Sequence, residues 1–179
     1  MRYQIGVVGS AVDMEEEVKF KARKVGESIA THNHLLVTGG CGGIPYEAVK
    51  GAKNRNGSTL AISPASNRRE HVEVYGLPTE GYDSFVFIGS GYKGRTIPLV
   101  RSCDAVIGIS GRIGTMVELG IAYDEKKVIG LLHEVPGFSS EFNEWTKKSG
   151  KSGGEIIIDE DPEILVEKVI RKLDETLLL

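Results

Sequence analysis

Ala105-Val106-Ile107-Gly108-Ile109-Ser110-Gly111-Arg112-Ile113-Gly114-Thr115-Met116-Val117-Glu118 is the stretch whose reading decides the fold. It opens as a short apolar run fit for a buried strand, breaks at closely spaced glycines, and continues as a helix. An earlier stretch follows the same plan: Leu35-Leu36-Val37 runs into Thr38-Gly39-Gly40-Cys41-Gly42-Gly43 and then into a helical pattern. Glycine lets backbone approach a ligand closely and tolerates positive φ. A helix that begins at such a turn points unsatisfied N–H groups at an anion. Two such turns in one small chain predict a phosphate-bearing ligand held between them.

Outward from these turns, strand and helix alternate along the whole chain. Strands are predicted at 4–8, 35–37, 59–62, 85–88, 105–109, 128–132 and 156–158. Helices are predicted at 14–31, 44–56, 95–103, 114–125 and 162–177, with a short one within 138–151 and a loop at 149–154. In the first helix Val18, Ala22, Val25 and Ile29 recur at helical spacing; in the second, Ala48, Gly51 and Ala52 form a close-packing face, and Gly57 is placed as its stop. Residues 64–84 show no sustained period, and a stretch of that length is often functional. Continuous apolar strands alternating with helices mean a parallel sheet covered on both faces. The expectation is one α/β domain over residues 1–179, doubly wound and Rossmann-like, with a mainly parallel sheet of about seven strands. Ligands bind such sheets at the carboxyl ends of the strands, near the switch in strand order. Gly9, Ser10, the 39–43 turn, Ser63, the 89–95 segment and the 111–118 turn all fall on that edge.

Bulk properties narrow the function. The 179 residues carry 23 glycines, 26% charged residues and a net charge of −3, with a sequence pI of about 5.9. That balance argues against non-specific nucleic-acid binding, which calls for a basic face, and leaves room for a local basic pocket. No apolar run approaches the roughly 20 residues of a membrane span, and no signal-peptide pattern precedes the first strand. Cys41 and Cys103 make no disulfide framework, so a cytoplasmic protein with two reduced thiols is expected. His32, His34, His71 and His133 have no metal-ligand spacing, and neither a metal nor a resident cofactor is expected.

The candidate site residues each have two readings. Gly111, Arg112, Ile113, Gly114 and Thr115 form either a phosphate turn or a plain strand-to-helix turn with Thr115 as N-cap. Glu118 is either the glutamate of a capping box begun by Thr115 or a carboxylate placed to stabilise positive charge or activate water. Arg95 opens a helix, where its guanidinium either grips phosphate or is simply solvated; Lys93 is equally ambiguous. The turn at Thr38, Gly39, Gly40, Gly42 and Gly43 lacks the G-x-G-x-x-G spacing of a dinucleotide site. Cys41 within it reads as a small tolerated residue, without a base partner.

Taken together these residues resemble the LOG-like branch of Rossmann-type nucleotide-binding proteins, often mislabelled lysine decarboxylases, and within it a small bacterial and archaeal subfamily of unassigned function. The resemblance runs from Ile5 to about Leu132. The family signature P-G-G-x-G-T-x-x-E reads here from Ser110 to Glu118. The early T-G-G-x-x-G…A-x-x-G-A stretch is matched from Thr38 to Gly43 and from Ala48 to Ala52. Arg95 stands nine residues before Asp104, where the family has its catalytic arginine. The resemblance implies a phosphoribohydrolase that cuts the N-glycosidic bond of a nucleoside 5′-monophosphate. Glu118 would then stabilise charge on the ribose or activate water, Arg95 would orient the substrate, and Gly9 and Ser10 with both glycine turns would hold the phosphate. It also implies a homodimer, and Ile97, Leu99, Ile121 and Tyr123 offer apolar surface for one. Two departures qualify this: Ser110 replaces the motif proline and Arg112 its second glycine. The first turn is nearer to molybdenum cofactor carrier proteins, which share the fold and hold a phosphate-bearing pterin without turning it over. The alternative expectation is therefore a non-catalytic carrier or sensor of such a cofactor or of a signalling nucleotide. A third is a single-stranded DNA-binding relative, against which the acidic pI speaks.

Overall fold

Every apolar run becomes a strand and every helical period a helix. The order is β1 (Gln4–Gly9), α1 (Glu16–Thr31), β2 (Leu35–Thr38), α2 (Ile44–Asn54), β3 (Ser58–Ser63), α3 (Arg68–Glu73) and β4 (Ser84–Phe87). It continues with α4 (Gly91–Arg101), β5 (Ala105–Ile109), α5 (Ile113–Asp124), β6 (Val128–Leu132), α6 (Phe138–Ser149), β7 (Ile156–Asp159) and α7 (Pro162–Leu177). The computed structural model describes residues 1–177; the last two residues of the domain expected over 1–179 lie outside them. The seven strands form one sheet in the order β4-β3-β2-β1-β5-β6-β7, parallel at every pairing.

Because side chains alternate along a strand, each strand feeds two cores. On one face Ile5, Val7, Leu36, Ile107 and Ile109 pack against Val18, Val25 and Ile29 of α1, Ala48 and Val49 of α2, and Leu165 and Val169 of α7. On the other, Val8, Val37, Ile62, Val106 and Ile129 pack against Leu99 and Val100 of α4, Leu119 and Ala122 of α5, and Phe142 of α6. β1 sits at the centre, with Gly9 level with Ile109 of β5. The chain winds outward from β1 through β2, β3 and β4, then returns to start again at β5. The carboxyl ends of β1 and β5 are the switch point, where the loops diverge and leave a cleft.

α1 and α2 approach closely because Gly26 and Gly51 lie in their contact. A Cβ on Gly26 would collide with the carbonyl of Ala48, and one on Gly51 with the carbonyl of Arg23. The close-packing face read at Ala48, Gly51 and Ala52 is thus present.

Several boundaries differ from expectation. Residues 64–84 are not featureless: Asn67 caps α3 by accepting from the Glu70 N–H at 2.9 Å. Buried His71 ties the segment down between the Ser63 hydroxyl at 2.9 Å and the Pro78 carbonyl at 3.0 Å. A single helical turn is too short to register as a period. α2 ends at Asn54, and Asn56, not Gly57, takes the left-handed conformation at φ 53°. Gly57 follows it and closes the helix through its N–H to the Ala52 carbonyl at 2.8 Å. α4 begins at Gly91 rather than Arg95, which moves Arg95 from the helix start into its second turn.

Candidate functional site

The first turn of α5 sets the site. Ser110 takes φ 58° and Gly111 φ 100°, which swings the chain off β5 and aims the helix at the cleft. The N-cap is Arg112, with no side-chain cap. The helix first closes through the Met116 N–H to the Arg112 carbonyl at 3.0 Å. Thr115 is therefore in the first turn, not at the N-cap, and Glu118 lies a further turn in; the capping-box reading of this pair is overturned by geometry. The N–H groups of Ile113, Gly114 and Thr115 find no acceptor among the described residues.

These groups open on a cleft of about 560 Å³, within the range of small-ligand sites. Gly9 and Ser10 after β1, Gly39 and Cys41 after β2, Arg95 on α4, and Arg112, Ile113, Gly114, Thr115 and Glu118 of the second turn all line it. So do Lys93, weighed in the sequence beside Arg95, Leu99, expected instead at an interface, and residues that sequence reasoning did not single out: Ala11, Pro45, Tyr92 and Thr96. The glycines at 89, 91 and 94 were the available signal for the α4 part.

Thr38, Gly40, Gly42, Gly43 and Gly111 are not on the cleft wall. The buried Thr38 hydroxyl pairs with the Tyr82 phenol at 2.7 Å and accepts from the Gly40 N–H at 3.2 Å. Gly43, at φ 70°, packs against the Ser10 carbonyl. Gly40, at φ 69°, faces the His71 ring, while Gly42 has nothing close to it. Gly111 supports α6, its carbonyl accepting from the Phe138 N–H at 2.9 Å. Most of the first glycine turn thus shapes the fold rather than touching the cleft.

At the centre, Arg95 is 6% exposed and its guanidinium reaches the Glu118 carboxylate at 3.4 Å and the Cys41 sulfur at 3.7 Å. It can lie there because Gly39 has no side chain: a Cβ would collide with the guanidinium. Burial pushes the Glu118 carboxyl up to about 7, and the nearby Arg95 charge only partly opposes that. Burial likewise raises the Cys41 thiol, against the lowering pull of the Arg95 charge, which disfavours the thiolate a nucleophile needs. Two polar atoms on the wall are buried without a protein partner: Ser10 Oγ and Arg95 Nε. Such atoms are costly unless a ligand or water completes them. Among the described residues no group of three or more His, Cys, Asp or Glu side chains is gathered to hold a metal, and no helix is long and apolar enough to cross a membrane.

Residues 2–166 match the SLOG cluster4 family. An uncharacterized protein of Archaeoglobus fulgidus is 35% identical over 129 residues, spanning 72% of this chain and 79% of its own. Two solved structures share the fold at lower identity. The molybdenum cofactor binding protein from Rippkaea orientalis is 24% identical, with 100% of this chain and 99% of that one covered and a TM-score of 0.76. The molybdenum cofactor carrier protein from Chlamydomonas reinhardtii is also 24% identical, with 97% and 99% covered and a TM-score of 0.76.

Proposed function

The chain belongs to the SLOG cluster4 family, and from that premise we propose that it holds a phosphate-bearing small molecule in the β1/β5 cleft as a carrier or sensor. The observation that carries this reading is unsatisfied polarity at depth. Ser10 Oγ and Arg95 Nε are buried without partners, beside the uncapped start of α5. A phosphate at Ile113, Gly114 and Thr115 would take those N–H groups and the field of the helix end. Val8, Pro45 and Leu99 offer an apolar wall to a flat ring. Neighbours of the same fold that bind or carry the molybdenum cofactor support retention over turnover, and a pterin phosphate brings both an anion and a planar heterocycle. The two free cysteines, both buried, fit a cytoplasmic setting.

The test is what stays bound. Mass spectrometry of small molecules released from the purified protein should find a phosphate-bearing heterocycle near one per chain, and Arg95→Ala should lose it. Calorimetric titration with nucleoside 5′-monophosphates and pterin phosphates covers a host that lacks the ligand. If none is retained and none binds, the reading fails.

A second reading, the LOG-like phosphoribohydrolase, is favoured by one observation: a carboxyl held up to about 7 against the cleft, the range in which a general acid or base works best. It requires free base released from a nucleoside 5′-monophosphate and that release lost in Glu118→Gln. Retention of intact nucleotide by the wild-type chain excludes it.

A further inference from the structure

Seven helices begin among the described residues, and five carry an acidic side chain in the first turn. These are Glu16 and Glu17 in α1, Glu47 in α2, Glu70 in α3, Glu141 in α6 and Glu163 in α7. A carboxylate there complements the positive end of the helix. α4 and α5 depart from this pattern: neither has an acidic residue in its first turn. Both open on the same cleft, through Tyr92 and Lys93 of α4 and Ile113, Gly114 and Thr115 of α5.

Their first backbone donors are unused, as are those of α1, whose first turn carries Glu16 and Glu17 instead. In α4 the Gly91 N–H reaches the Pro64 carbonyl at 3.1 Å, but those of Tyr92 and Lys93 find no acceptor among the described residues, as in the first turn of α5. By contrast, the Phe138 and Ser139 N–H groups at the start of α6 reach the Gly111 and Ser110 carbonyls, and the Glu163 and Ile164 N–H groups of α7 reach the Asp161 carboxylate. Each cleft-facing end also brings a cation that has no ion-pair partner among the described residues, Lys93 on α4 and Arg112 at the N-cap of α5. The unpartnered Ser10 Oγ and Arg95 Nε belong to the same wall.

We infer that the ligand carries two anionic groups, one seated at the start of α5 and one at the start of α4. This rests on the reading of the cleft as a phosphate site and narrows its ligand class. One phosphate would leave the second set of N–H groups and Lys93 without a counterpart. Glu118 is the one carboxylate side chain lining the cleft, and it is engaged with Arg95. A contiguous diphosphate and a molecule with anions at two ends share this chemistry, and the experiment separates them.

The full chain is titrated calorimetrically with orthophosphate, pyrophosphate, adenosine 5′-monophosphate, adenosine 5′-diphosphate and adenosine 3′,5′-bisphosphate. At least one doubly anionic probe should bind about tenfold more tightly than its single-phosphate counterpart. Preference for pyrophosphate and the 5′-diphosphate means a contiguous pair; preference for the 3′,5′-bisphosphate means separated anions. Lys93→Ala should bring that ratio close to one, while Lys147→Ala, on the exposed surface of α6, should leave it as in wild type. Equal affinity for single and double anions overturns the inference and leaves the phosphate reading standing. Binding of none of the five overturns both.

Discussion

Gly39 and Glu118 lie at the centre of the site and Ser110 in the turn that leads to it, and physical constraints act on each. Gly39 is glycine because the Arg95 guanidinium occupies the space of its Cβ. Gly39→Ala should therefore leave the fold intact, since the far end of a flexible side chain can shift, while Arg95 moves off Glu118. Affinity for the retained ligand should fall about tenfold with the melting temperature little changed; unchanged affinity would mean that Arg95 does not contribute to binding. Glu118 titrates near 7 when folded against an ordinary value of 4.5. The unfolded chain thus releases this proton first, and between those values the folded state binds more protons, so rising pH costs stability. Over that window Glu118 removes roughly 3 kcal/mol, a penalty absent below about pH 4.5. Denaturant unfolding at several pH values should give a shallower fall for Glu118→Gln than for wild type; parallel slopes would show that the carboxyl titrates normally. Ser110 explains a departure from the LOG-like signature that the sequence resembles. At φ 58° this position is closed to proline, whose ring holds φ near −65°. The turn follows a different path from one that starts at proline, and the missing proline is a consequence of that path.

At the scale of elements, what could be read in the sequence was what periodicity records. All seven strands, and the long helices α1, α2, α5 and α7, stand within a few residues of expectation, because each buries a stripe or a full apolar run. α3 escaped because its six residues are fixed by a cap and a buried histidine rather than by an apolar face. The start of α4 escaped because Gly91 and Gly94 read as loop, while in the fold they begin a helix that no side chain caps. The site was legible where glycine, arginine and glutamate coincide at strand ends. It was illegible at Tyr92, Thr96 and Leu99, whose place on the cleft depends on how α4 crosses the sheet. The contact between α1 and α2 is the least forgiving of these elements. Gly26→Ala drives a methyl into the Ala48 carbonyl, backbone that has no rotamer to change. Overpacking of this kind costs about 1–3 kcal/mol, occasionally more, so a clear drop in melting temperature is expected. An unchanged melting temperature would mean that the two helices can move apart at little cost.

At the scale of the whole molecule, the rim of the cleft is apolar as well as cationic. Ile113 is 75% exposed, Val117 50% and Tyr92 47%, and Ile97 is also exposed. Of the other residues considered for an interface, Leu99 is buried and Ile121 and Tyr123 are half-buried. We read this rim as the contact of a homodimer. Light scattering at micromolar concentration should give twice the 19.4 kDa of one chain, and Val117→Glu should return it to a single chain; a monomeric wild type rejects the interface. The sheet order has a further consequence for how the chain is made. β1 is synthesised well before β5, yet β5 is one of its two neighbours, with Ile5 level with Ala105. A ribosome must add about another hundred residues before that edge is covered, several seconds or more at ordinary elongation rates. Until then β1 presents a bare hydrophobic edge, and the ligand cleft, which needs α5, does not yet exist. The nascent chain is thus most vulnerable to misassociation in the interval between the synthesis of β1 and that of β5.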